Sequence, residues 1–174
     1  MTTLMDVDVD LARRYEARFV LALVTEDDGS PIPVSLDAAV RYLQGIEDLM
    51  FLAAIGDWEA PAEDQGLGSP ANFIHMTKVE RISYASPLEV VVSFLVGIAG
   101  AGAVANRLIS VWTNFQMARR QTATTNLWVA AANVLQATVD APIPLTEGTI
   151  GYDRFATATE VLTLLTSVEV QEES

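Results

Sequence analysis

The chain has no cysteine and a single histidine, His75. Without thiols it forms no disulfide, presents no thiolate nucleophile and offers no cysteine ligand to a metal. One histidine cannot build a common zinc site unless carboxylates complete it. Positive charge is scarce too: 10 Lys and Arg stand against 23 Asp and Glu, a net charge of -13. Such a surface repels phosphate backbones, so nucleic acid is not an expected partner. The opening residues, Met1 to Asp10, hold neither a basic stretch nor an apolar one, and so do not read as a secretory signal.

What is abundant is apolar side chain. Hydrophobic residues make up 51 % and charged residues 19 %, which excludes disorder of the whole chain and points to extensive burial or assembly. At 174 residues the chain is long enough for one good core. Its charge is uneven. Residues 1–70 carry 14 acids against 4 bases, residues 71–140 carry 3 against 5, and residues 141–174 carry 6 against 1. The middle third therefore runs against the rest.

Within that third, Val90 to Ala105 is uncharged throughout, bounded by Glu89 and by Asn106-Arg107. A helix that spans a bilayer needs about 20 apolar residues, so this run is slightly short. Its first half is β-branched and aromatic (Val90, Val91, Val92, Phe94), and its second half is Gly and Ala. A buried strand followed by a close-packed helix accounts for those letters without lipid. A membrane anchor over 88–111 is the alternative.

The patterning predicts a strand over 15–25, ended by the turn signal Glu26-Asp27-Asp28-Gly29-Ser30-Pro31. Ser35 is placed as the N-cap of an amphipathic helix over 35–55, with Arg41, Gln44, Glu47 and Asp48 on its outward face. The Pro- and Gly-rich segment 57–70 reads as an exposed loop. An irregular strand over 73–84, with a bend or bulge, and a central strand over 88–95 make a hairpin. A helix follows from about 97, interrupted or exposed over 116–126 and resuming over 127–139. Residues 145–154 read as loop, 155–170 as either a last helix or a strand, and 171–174 as a solvated tail.

No motif in the chain carries a recognisable chemistry. Asp6, Asp8 and Asp10 lack the glycine and closing glutamate of a calcium loop. Asp57, Glu59, Glu63 and Asp64 crowd one loop and read as solvated charge, because paired carboxylates must face each other across a cleft. Gly97, Gly100 and Gly102 have the wrong spacing for a dinucleotide turn. No cofactor or metal is expected. His75 reads as structural.

These observations predict an α+β fold: a small, mostly antiparallel sheet with a backing helix and a C-terminal helical region. Four segments are expected: an acidic arm (1–10), a strand–helix–hairpin core (11–95), an Ala/Gly-rich helical region (96–140) and an acidic C-terminal segment (141–174). The expected role is a non-enzymatic structural subunit of a homo-oligomer or larger assembly, cytoplasmic or part of a particle. Its contacts are expected at Gly97, Ala101 and Ala105, whose small-xxx-small spacing lets helices approach, and at Trp112, Phe115, Arg119, Arg120 and Trp128. Trp58 is a further contact candidate. A membrane-associated accessory protein and an enzyme with dispersed carboxylates are the alternatives.

Overall fold

The structure, a computed structural model, describes residues 13–22, 27, 28, 30, 34–56, 58, 77–83, 87–96, 101–122, 126–139 and 142–173. Its elements are β1 (Arg13–Leu21), α1 (Leu36–Ile55), β2 (Thr77–Ser83), β3 (Leu88–Val96), α2 (Ala101–Gln121), α3 (Leu127–Thr138), α4 (Ile150–Leu164) and β4 (Leu165–Glu172). The strands form one antiparallel sheet in the order β2-β3-β1-β4. The fold is α+β, as the patterning predicted.

The uncharged run lies at the centre of this sheet. β3 pairs with both β1 and β2, setting Tyr15 opposite Phe94, Ala17 opposite Val92 and Phe19 opposite Val90. These side chains are buried, and the Tyr15 and Phe94 rings stack with centroids 5.7 Å apart. Each large apolar side chain so enclosed contributes about 1.5–3 kcal/mol. The run continues into α2, where Val104 and Ala105 join the same core. Residues 88–111 are therefore a strand and half a helix, with 97–100 between them outside the described residues. Among the described residues no helix is long and apolar enough to cross a membrane.

β2 carries the expected irregularity. Its register with β3 shifts between Val79 and Arg81, so Glu80 is extra. The bulge lets both neighbours reach the sheet's outer face: Glu80 accepts from Ser93 Oγ at 2.7 Å, and Arg81 reaches Glu89 at 2.5 Å. Glu89 also accepts from Arg18 at 2.7 Å, and Arg18 lies 3.5 Å from Glu169. Charges of alternating sign thus link all four strands on the face away from the helices. The Arg18 hydrogen bond, followed by that of Arg81, holds the Glu89 carboxyl below its ordinary range.

α1 begins and ends where its sequence says it should. Ser35 Oγ accepts from the Ala38 amide, and Gly56 closes the helix in the left-handed conformation at φ 70°. α2 packs on β3 and β4, α1 and α3 pack on α2, and α4 packs on α1 and α3.

Five expectations are corrected here. Strand β1 stops at Leu21, and Ala22 is already exposed. Asp48 is buried, not outward. Residues 150–154 are helix: Thr149 is the N-cap, accepting from the Tyr152 amide at 3.3 Å while donating to the Thr146 carbonyl at 2.9 Å. Finally, 155–170 is helix and then strand, without a loop. Leu164 ends α4 and its carbonyl accepts from the Ala22 amide at 2.8 Å, so pairing beside β1 takes over where the helical ladder stops. Gln171 and Glu172, expected in a solvated tail, lie within β4.

Candidate functional site

Two places combine chemistry with defined geometry: the α1–α4 seam and the α2–α3 surface. The seam follows from spacing. Arg41, Gly45, Asp48 and Phe51 fall on one side of α1, at steps of four, three and three. They meet Arg154, Thr157, Glu160 and Val161 of α4, running the opposite way.

Arg41 Nε pairs with Glu160 at 2.5 Å. A β-carbon at Gly45 would collide with the Val161 side chain and lie 2.6 Å from the Thr157 carbonyl oxygen. Glycine therefore permits near contact of the two backbones. Thr157 Oγ1 donates to Asp48 Oδ2, and Arg154 Nε lies 4.0 Å from Asp48 Oδ1. The Arg154 guanidinium also sits 4.2 Å from the centroid of the Phe51 ring.

Asp48 is 6 % exposed. Burial pushes its carboxyl up to about 6, against the opposing pull of the Thr157 hydroxyl and Arg154; neighbouring Glu47 adds a smaller upward push. The polar partners of Asp48 are both on α4: the Thr157 hydroxyl and the Arg154 guanidinium. Among the described residues no three His, Asp or Glu side chains converge as metal ligands.

The predicted contact residues separate into three groups. Gly97 lies outside the described residues, as do His75, the Asp6–Asp10 arm and Glu59, Glu63 and Asp64. Ala101 opens α2. Ala105, Trp112 and Phe115 belong to the chain's own core, where the Trp112 and Phe115 rings lie 6.3 Å apart. Trp58, read as part of an exposed loop, is 1 % exposed and meets Phe155 edge-on at 5.1 Å.

Arg119, Arg120 and Trp128 remain at the surface. Arg119 and Arg120 lie in the last turn of α2, and Trp128 lies at the start of α3. Trp128 is 45 % exposed, and its ring is held edge-on against Phe155 at 5.8 Å. Beside it Val129 is 55 % exposed, and on α2 Met117 is 52 % exposed. Met117 and Arg120 border a shallow depression of about 170 Å³ with Trp112, Thr113 and Gln116. From Val90 to Val139 the chain has no acidic residue.

Sequence reasoning missed the seam. Its visible signal was Gly45, since a glycine inside an amphipathic helix marks a close approach of another element. Comparison with known proteins gives no relative: no protein-family profile, no curated protein and no solved structure matches this chain.

Proposed function

We propose that the protein is a non-enzymatic structural subunit that assembles with copies of itself through the α2–α3 surface. The half-exposed Trp128 carries this reading. Phe155 fixes its ring, so docking would cost little conformational entropy. Tryptophan and arginine are the side chains that most often dominate binding energy, and here Trp128 is exposed beside Val129 on α3 while Met117, Arg119 and Arg120 are exposed on α2.

Charge selects the occupant. An acid-free segment bearing Arg107, Arg119 and Arg120 belongs to a chain of net charge -13, so the acidic surface of a second copy complements it. Light scattering on a sizing column in detergent-free buffer tests the reading. A mass above 18.8 kDa that falls on Trp128→Ala supports it. A wild-type monomer at tens of micromolar, or an assembly indifferent to Trp128→Ala, overturns it.

A further inference from the structure

We infer that the start of α4, residues 145–153, is the surface on which the α2–α3 face of a second copy docks. This rests on the assembly proposed above and names what the second copy contributes to it.

Unpaired charge marks both halves of the contact. Six of the described basic side chains, from Arg14 to Arg154, pair with a carboxylate, and Arg107 donates to the Ala53 carbonyl at 3.2 Å. Among the described residues Arg119 and Arg120 have no such partner, and both are exposed. They end a helix without a single acid, so no carboxylate of their own segment can reach them.

The matching acids are Glu147 and Asp153. Neither pairs with a cation among the described residues, and the chain has no Lys or Arg between Arg120 and Arg154. Beside them stand two of the three most exposed large apolar side chains described, Leu145 at 88 % and Ile150 at 73 %. Neither belongs to the core.

Local structure gathers these four residues. The Thr146 carbonyl accepts from the Thr149 amide, closing a turn through Gly148 at φ 81°. Leu145 and Ile150 therefore flank one tight turn. Asp153 follows Ile150 by three residues, on the same side of α4. The result is an apolar pair with two free carboxylates. It complements Trp128, Val129 and Met117 with two free guanidiniums. Docking one on the other takes both apolar sets from water and gives each charge an opposite neighbour.

Other acidic faces complement the arginines less well. At the start of α1, Leu36 and Val40 are exposed beside Asp37, but Arg41 lies one turn on and is exposed too. An incoming guanidinium would meet like charge there. On the outer face of the sheet, Glu89 is already held by Arg18 and Arg81.

Variants of the full chain, followed by light scattering in detergent-free buffer, test the contact. Leu145→Ala/Ile150→Ala removes only exposed apolar surface, so circular dichroism should be unchanged while the dissociation constant of the assembly rises about tenfold or more. Leu36→Ala/Val40→Ala should leave that constant as it is. Glu147→Arg/Asp153→Arg changes the net charge from -13 to -9 and should return the chain to 18.8 kDa, as should Arg119→Glu/Arg120→Glu. Mixing these two charge variants at low salt should restore assembly, because the mixture again holds an intact basic patch and an intact acidic one.

An assembly that Trp128→Ala abolishes but the Leu145/Ile150 variant leaves unchanged would overturn this contact alone. So would a mixture of folded charge variants that stays monomeric. A wild-type monomer, or an assembly indifferent to Trp128→Ala, would instead overturn the assembly through α2–α3, and this contact with it. If Glu147→Arg/Asp153→Arg does not fold, the apolar pair decides.

Discussion

The Thr157 hydroxyl of α4 lies against the Asp48 carboxylate of α1 and, at 3.0 and 3.1 Å, against the carbonyl oxygens of Asp153 and Arg154. Three acceptors surround one hydroxyl proton. The burial of Asp48 and the upward displacement of its carboxyl, to about 6, agree, and the Thr157 hydroxyl that donates to it pulls the other way.

That agreement fixes the sign of a pH effect. The folded chain holds the Asp48 proton up to about pH 6, whereas the unfolded chain releases it near 3.8. The associated stability is complete below the lower value and lost as pH rises through the upper one. The shift corresponds to about 3 kcal/mol at most. Asp48→Asn stays neutral and keeps an acceptor for Thr157, although Arg154 loses a charged neighbour. In urea titrations at pH 4 and pH 7.5, the stability of the variant relative to wild type should rise toward the higher pH. Parallel pH dependences of the two proteins would remove Asp48 from this role.

Gly45→Ala sets two effects against each other. Alanine favours a helix interior over glycine by about 1 kcal/mol. Its methyl group, however, would meet the Thr157 carbonyl and the Val161 side chain. Overpacking of this kind costs roughly 1–3 kcal/mol, and the collision involves backbone as well as side chain. We expect net destabilisation in a denaturant titration. A variant more stable than wild type would mean that the helices separate at little cost.

Phe155 is held between Trp58 and Trp128, both edge-on. Phe155→Ala should cost about 3–5 kcal/mol and open the enclosed Trp58 to water. Tryptophan emission would report this as a red shift and stronger acrylamide quenching in the folded variant. Unchanged quenching would show that Trp58 is protected by something other than this ring.

Arg119→Glu/Arg120→Glu would change the net charge from -13 to -17 at the proposed assembly surface. Assembly through that surface should be lost at 0.1 M salt while the fold, judged by circular dichroism, persists. Wild-type assembly should weaken as salt rises, because the screening length is only about 10 Å at 0.1 M. An assembly that ignores both the reversal and the salt does not depend on these arginines.

The parts of the fold that could be read from sequence are those where local chemistry and burial agree. Ser35, the apolar spacing from Leu36 to Ala53 and Gly56 specify α1 almost to the residue. The β-branched run at Val90 to Val92 marks the central strand. Where the two disagree, the reading failed. Trp58 stands among glycines, prolines and acids, yet its ring is buried on Phe155. Gly151 and Tyr152 obscured the start of α4, although Thr149 was in place to cap it.

Asp48 shares with Arg41, Gln44 and Glu47 the face of α1 that the pattern marks as outward, and only the packing of α4 buries it. Leu165 changes from helix to strand under a pairing made with β1, and no neighbouring residue announces that partner. For the contact residues, the sequence distinguished tryptophan and arginine from their surroundings. It could not distinguish those used by the core, such as Trp112, from those left on the surface, such as Trp128.

The β1–β4 ladder also sets an order of events during synthesis. Thr166 donates to Val20 across 146 residues of chain, and the Gln171–Glu16 contact closes a separation of 155. A ribosome must release residue 172 from its exit tunnel before β1 gains its second neighbour. Until then one flank of a valine- and phenylalanine-rich sheet stays open, and pairings this distant in sequence form slowly. The nascent protein is therefore most prone to aggregate in the interval before β4 reaches β1, when a chaperone would matter most.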